Sequence, residues 1–182
     1  MGCKFGVVVF CLFVVGYVDV ATTADKDLWD ILSGTDDKFF LVNRTYSSGG
    51  NECPYMKRTS KDDGKHTLQA DMGYRNSTTK KFVSPSNYTI TVTQSTGSGS
   101  YDQMKVKNPS QAGNGTDYKL EHSDANGCNI LKGTSGPVQD HCELWAPEKQ
   151  AGNLGENCSK KFQEKCEKTV QESPYKSDCQ IP

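Results

Sequence analysis

Apolar and polar residues alternate along most of the chain between residues 36 and 145, the period of two that predicts β-strands. The clearest case is Tyr88, Ile90 and Val92, which have polar residues at every position between and beside them. The predicted strands are Lys38–Tyr46, Cys53–Ser60, Lys65–Arg75, Lys81–Thr93, Tyr101–Lys107, Thr116–His122, and one on each side of the turn Gly133–Pro137. Eight short strands in one domain predict an up-and-down barrel or a two-sheet sandwich.

Two segments have helical periodicity instead. Near the start, Asp25–Leu32 places Leu28, Ile31 and Leu32 on one stripe, and Trp29 beside that stripe is expected to pack against one end of the fold. Near the end, Asn157–Gln171 carries an apolar residue at every fourth position. This second helix is predicted to lie on the outside of the sheet.

The segment His141-Cys142-Glu143-Leu144-Trp145 carries the most chemistry in the chain. Neighbouring residues of a strand point to opposite faces, so Cys142 and Leu144 share one face while Glu143 and Trp145 share the other. If Cys142 is bonded to something outside the sheet, Glu143 and Trp145 look inward. A carboxylate beside an indole inside a barrel is a candidate ligand site.

The same parity argument predicts the other residues that face inward. They are Tyr74, Tyr88, Ile90, Val92, Met104, Tyr118, Leu120 and His122. This set suits a small amphipathic ligand and would serve equally well as a packed core. Arg44 shares the parity of Phe40 and Val42, whereas Phe39 and Leu41 have the opposite phase. Inside the lumen, Arg44 could neutralise Glu143 or hold the carboxylate of a fatty-acid-like ligand, and both alternatives stay open beside a cationic amine.

The beginning of the chain predicts secretion. Lys4 followed by an apolar run to Val18 is typical of a signal peptide, with cleavage after Ala24, so the mature domain would span residues 25–182. Cleavage leaves the net charge at −1, which gives no basic face for nucleic acid or anionic membranes. Six cysteines remain, and in a secreted chain they predict three disulfides, for which spacing alone allows fifteen pairings.

Five N-glycosylation sequons agree with a secreted chain. Their asparagines are Asn43, Asn76, Asn87, Asn114 and Asn157. The chain contains no Cys-x-x-Cys pair, no clustered histidines and no nucleophile or phosphate-loop motif. The sequence therefore predicts a binding protein without catalytic activity, metal or cofactor, and we expect it to be a monomer.

Several motifs together resemble those of the tick salivary lipocalins, the histamine-binding protein family. They are Asp27-Leu28-Trp29-Asp30, Cys128-Asn129-Ile130 and Glu143-Leu144-Trp145, with Cys158 downstream and with Cys53 and Cys179 bracketing the chain. The resemblance spans Asp25 to Cys179. It implies an all-β, eight-stranded antiparallel lipocalin barrel with a short N-terminal helix and an external C-terminal helix. It also implies the disulfides Cys53–Cys179, Cys128–Cys158 and Cys142–Cys166.

The resemblance further implies a salivary protein that sequesters a small host mediator and so suppresses inflammation or haemostasis. In this family, an acid inside the barrel meets a cationic amine such as histamine or serotonin, and Glu143 and Trp145 match that pattern. Asn129 departs from it, because an acid is favoured there, and we therefore expect at most one high-affinity amine site. The candidate ligand-binding set is Glu143, Trp145, Asn129, Trp29, Asp30, Phe40, Tyr74, Tyr88 and Tyr118. The alternatives are an eicosanoid ligand, or a plasma protein of complement or coagulation bound through the outer loops.

Overall fold

Eight antiparallel strands form a closed barrel in which each strand pairs with the next and the last pairs with the first. This computed structural model describes residues 27–97, 99–170 and 172–182, so the predicted signal peptide at residues 1–24 lies outside the described residues. The elements are α1 (Leu28–Ser33), β1 (Lys38–Arg44), β2 (Asn51–Asp62), β3 (Thr67–Asn76), β4 (Ser86–Thr93), β5 (Gln103–Lys107), β6 (Thr116–His122), β7 (Asn129–Gly133), β8 (Cys142–Pro147) and α2 (Gly155–Lys165). The predicted barrel with a helix near each end of the described chain is confirmed.

Alternating apolar residues of the strands form the core inside the barrel. Leu68 pairs directly with Ile90 across β3 and β4, and both side chains are buried in the inner cluster. Leu28 and Leu32 of α1 join this cluster and cover one end of the barrel. Asp27 caps α1, since its carboxylate accepts a hydrogen bond from the backbone N–H of Asp30 at 2.9 Å. The lumen is therefore apolar in its middle and closed by a helix at one end.

The outside of β7 and β8 is covered by α2, and the disulfides fix this arrangement. Ile130, Leu144 and Phe162 are buried between the strands and the helix. The bonded pairs are Cys53–Cys179, Cys128–Cys158 and Cys142–Cys166, the three that the family resemblance implied. Because Cys142 is bonded on the outside, Glu143 and Trp145 of the same strand face the lumen, as their parity predicted.

A β-bulge in β1 corrects the prediction for Phe40. The register with β8 shifts between Leu41 and Asn43, and the extra residue reverses the parity of the strand. Phe39 packs in the inner cluster before the bulge, and Arg44 lines the lumen after it. Phe40, expected among the ligand-binding residues, is instead completely buried outside the lumen beneath the C-terminal tail, against Cys179 and its neighbours.

A second register shift corrects the prediction for His122. It lies in β6 between Leu120 and His122, and it sets His122 opposite Ile130, which packs on the outside beneath α2. His122 therefore shares the outer face, because residues directly opposite in an antiparallel pair point the same way. His122, Asp124 and Cys128 bring potential metal-ligand atoms within 4.8 Å of one another. The sulfur of Cys128 is in a disulfide, so it supplies no thiolate for a metal.

The C-terminal helix α2 ends at Lys165, and the predicted end at Gln171 is therefore wrong. After Cys166 the chain returns to the barrel, where the backbone of Glu172 pairs with that of Arg44 and the carbonyl of Pro174 accepts from Cys53 N–H at 2.9 Å. Among the described helices, none is long and apolar enough to cross a membrane. The returning tail places Glu172 beside the lumen residue Arg44.

Candidate functional site

A cavity of about 230 Å³ lies at the end of the barrel opposite α1. Its walls come from the end of β1, the beginning of β2 and the side chains that β3, β5, β6 and β8 direct inward. The lining residues are Leu41, Arg44, Tyr46, Asn51, Pro54, Met72, Tyr74, Met104, Val106, Tyr118, Glu143 and Trp145. Most of these side chains are apolar or aromatic, and Glu143 and Arg44 are the charged ones.

Three neutral donors surround the carboxylate of Glu143. The hydroxyl of Tyr46 donates to Oε1, the indole N–H of Trp145 donates to Oε2 at 2.7 Å, and the hydroxyl of Tyr118 lies 3.4 Å from Oε1. Glu143 is only 5% exposed. None of the described residues forms an ion pair with its carboxylate, so neutral hydrogen-bond donors alone contact this buried acid.

Burial dominates the protonation chemistry of this cluster. Burial raises the pKa of Glu143 above its ordinary value, and the hydrogen bonds from Tyr46 and Trp145 offset part of the rise. The pKa values of the Tyr46 and Tyr118 hydroxyls are raised as well, first by burial and then by the adjacent Glu143 charge. Both hydroxyls therefore remain protonated at neutral pH and act as hydrogen-bond donors.

Arg44 faces the cavity, but its charge is already matched. Its Nε donates to Oε2 of Glu172 at 2.8 Å, and its Nη2 contacts the same oxygen. The guanidinium also lies over the ring of Tyr46, 5.2 Å from its centroid. The ion-pair partner of Arg44 is therefore Glu172 from the tail, although the charge of Arg44 also lowers the pKa of Glu143.

The cavity continues into the apolar middle of the lumen. Met72, Met104 and Trp145 line both the cavity and a smaller enclosed space of about 40 Å³ that α1 covers. The other walls of that inner space are apolar residues such as Phe39 and Leu131, together with Asn129. A ligand with a charged end near Glu143 could therefore place an apolar ring toward the middle of the barrel.

The remaining predicted ligand residues lie near the α1 end. Asn129 is buried there, and its carboxamide donates to the backbone carbonyls of Gly127 and Trp145, each at 3.2 Å. Asp30 lines a separate surface pocket of about 120 Å³. Trp29 packs edge-on against the ring of His66, with 4.9 Å between centroids. The nine candidates thus do not form one site, because Trp29 and Asp30 do not line the lumen spaces, whereas Asn129 lines the inner one beside Trp145.

Two tyrosines of the candidate set differ in their placement. Tyr74 lines the cavity beside Glu143. Tyr88 shares the inward parity of Ile90, but it lies beyond the lining of that cavity and is only half-buried. Tyr74, Tyr118, Glu143 and Trp145 are therefore the predicted residues that the fold brings together.

A profile of the tick histamine-binding proteins matches residues 19–181, which is nearly the whole chain. The chain belongs to the tick histamine-binding protein family. Two solved structures share its fold. One is AM182 in complex with serotonin, at 19% identity and a TM-score of 0.60, covering 85% of this chain and 92% of that one. The other is Japanin from Rhipicephalus appendiculatus bound to cholesterol, at 15% identity and a TM-score of 0.58, covering 79% and 95%.

Tyr46 and Glu172 are site residues of this histamine-binding family member that sequence reasoning missed. Tyr46 closes the predicted first strand, and the change of phase between Leu41 and Arg44 was the available sign of a bulge that turns both Arg44 and Tyr46 inward. Glu172 contacts a residue 128 positions away in the sequence. No local pattern reports such a contact.

The sequon asparagines lie on the outer surface of this lipocalin barrel. Asn87, Asn114 and Asn157 are exposed, whereas Asn43 and Asn76 are half-buried. The side-chain oxygen of Asn43 accepts from Ser173, and that of Asn76 accepts from two backbone N–H groups of the following turn. Glycosylation at these five positions stays a prediction.

Proposed function

We propose that this chain is a secreted lipocalin that sequesters a small cationic mediator, a biogenic amine such as histamine or serotonin, at Glu143 in the lumen. The observation that carries the proposal is the buried Glu143 carboxylate, which has three neutral donors and no cationic partner among the described residues. Burying an ionised carboxylate is costly unless a cation compensates it. A protonated amine supplies both the charge and the hydrogen-bond donors.

The distribution of charge around the cavity favours a cation. Arg44 forms its ion pair with Glu172, and Glu143 forms none with any described residue. The indole of Trp145 lines the same cavity, and an aromatic face adds cation–π attraction for an ammonium group. The apolar walls formed by Met72 and Met104 suit the ring of an aromatic amine.

The size of the cavity favours an amine over an eicosanoid. Pockets for drug-sized ligands usually measure about 300–1,000 Å³, and the Glu143 cavity is smaller, at about 230 Å³. Arg44, the group that would anchor the carboxylate of an eicosanoid, is held by Glu172. A ligand the size of histamine or serotonin needs neither a longer cavity nor a free guanidinium.

The proposed biological role is to withdraw a host mediator of inflammation or haemostasis from solution. Three disulfides fit an extracellular protein, because such bonds persist in oxidising compartments. The family is a salivary one, and we propose saliva as the site of action of a monomeric protein. The structural relatives are bound to serotonin in one case and to cholesterol in the other.

Native mass spectrometry and calorimetry of the secreted protein test this proposal. The panel is histamine, serotonin, tryptamine and a leukotriene, with human plasma proteins as a separate arm. We expect one amine bound in each barrel and no leukotriene of comparable affinity. Binding of the leukotriene but of no amine would replace the amine with an eicosanoid. Binding of a plasma protein alone would assign the function to the outer loops.

A further inference from the structure

Arg44 and Glu143 are direct neighbours across β1 and β8, yet they do not form an ion pair. The register sets Arg44 opposite Glu143, and residues in that relation have Cβ atoms about 4.5–5.5 Å apart. Both side chains line the same cavity. Arg44 is 3% exposed, so its guanidinium needs a counterion, and that counterion is Glu172. The tail therefore determines which acid Arg44 pairs with.

Glu172 is itself held firmly at this position. Its backbone N–H donates to the carbonyl of Arg44 at 3.2 Å, and Arg44 N–H donates to the carbonyl of Glu172 at 3.0 Å. Its Oε1 accepts from the Ser47 hydroxyl and from the backbone N–H of Ser48. Although burial alone would raise the pKa of Glu172, the hydrogen bonds from Ser47 and Arg44 lower it below its ordinary value. The side chain is therefore ionised at neutral pH.

We infer that Glu172 is a specificity-determining residue, which selects cations over carboxylates by holding Arg44 away from Glu143. This inference rests on the proposed amine function and assigns its charge selectivity to a residue outside the cavity lining. Without the carboxylate of Glu172, the guanidinium of Arg44 has two alternative partners. It pairs with Glu143, which removes the site for an amine, or it binds the carboxylate of a ligand.

Tryptamine and indole-3-acetate are matched probes, because they share the indole ring and carry charges of opposite sign at similar positions. The variants are Glu172→Gln, Glu172→Asp and the double variant Arg44→Met/Glu172→Gln, each checked for folding by its unfolding midpoint. We expect Glu172→Gln to weaken tryptamine binding about tenfold or more and to gain binding of indole-3-acetate. Glu172→Asp, which keeps the charge, should retain the preference for tryptamine.

The double variant separates electrostatic selection from a structural role of the tail. Removing Arg44 as well should restore tryptamine binding, because no guanidinium remains to pair with Glu143. It should also abolish the gained binding of indole-3-acetate, because no guanidinium remains to bind the carboxylate of that ligand. A purely structural role of Glu172 predicts loss of tryptamine binding in both variants and no gain of indole-3-acetate in either, and that result would overturn the inference. If the wild type binds no amine, the proposed function fails, while the indole-3-acetate comparison still decides the role of Glu172.

Discussion

Glu143 is the residue on which the account of the site depends, and its protonation should control binding. Burial raises its pKa above the ordinary 4.5. At a pH between the unfolded pKa and this raised folded pKa, the folded chain keeps a proton that the unfolded chain has released. Its contribution to stability is therefore fully present below about pH 4.5 and is lost as the pH rises through the raised pKa. An amine requires the ionised carboxylate, so its affinity should change in the opposite direction.

This sign leads to a pH prediction for the complex. The increase in Tm that saturating serotonin produces should be small near the ordinary pKa of 4.5 and should grow as the pH rises through the raised pKa of Glu143, with roughly a tenfold change in affinity per pH unit below that raised pKa. Serotonin keeps its ammonium charge over this range, so the titrating group belongs to the protein. Differential scanning fluorimetry measures the effect. An increase in Tm that stays constant with pH would exclude Glu143 as the binding group.

Phe40 provides a second test at a single position, because it lies outside the lumen. Phe40→Leu removes part of a ring that packs against Cys53 and Cys179, which should cost roughly 1 kcal/mol of stability. Serotonin affinity should remain within about twofold of the wild type, since the side chain does not line the cavity. Urea unfolding and calorimetry measure the two quantities. A marked loss of affinity without loss of stability would place Phe40 back in the lumen.

The strands and helices could be predicted well from the sequence, and the exceptions share a physical cause. Alternation shows where a strand exists because one face is buried, as in Tyr88, Ile90 and Val92. A bulge changes the parity without changing composition, so Phe40 before the shift in β1 and His122 after the shift in β6 were assigned wrongly. The end of α2 was also misplaced, because an apolar residue at position 170 continued the helical stripe beyond the point where the chain turns back.

The disulfides allow a prediction about how the elements are held together. Cys53–Cys179 joins residues 126 positions apart, whereas Cys142–Cys166 joins residues 24 apart. Because the longer loop loses more entropy in the unfolded chain, replacing the first pair by alanines should destabilise the protein by about 1.5 kcal/mol more than replacing the second. Urea unfolding of the two double variants gives the difference. Equal costs, or the reverse order, would show that packing around the bonds outweighs chain entropy.

The barrel as a whole combines a predictable scaffold with a site that depends on long-range contacts. Strand parity was sufficient to predict that the side chains of four residues face the lumen: Glu143, Trp145, Tyr118 and Tyr74. Parity could not show that Asn129 and Trp29 lie toward the α1 end, because it indicates which face of the sheet a residue is on and not its position along the barrel axis. The pairing of Arg44 with Glu172 also required the folded chain, because it joins the first strand to the tail.

Calorimetric titration of serotonin into the wild type and Glu143→Gln tests the central claim most directly. Glutamine has nearly the same shape as glutamate, so the fold should be retained while the charge is lost. Loss of a charged hydrogen bond costs about 1.5–3 kcal/mol, which is roughly ten- to a hundredfold in affinity. Glu156→Gln, at an exposed position in the first turn of α2, is the matched control.

We predict one serotonin site in each wild-type barrel, the stated loss of affinity in Glu143→Gln, and wild-type affinity in the control. Serotonin affinity that is unchanged in Glu143→Gln, or a wild-type titration with two equivalent sites, would contradict a single amine site centred on Glu143 and Trp145.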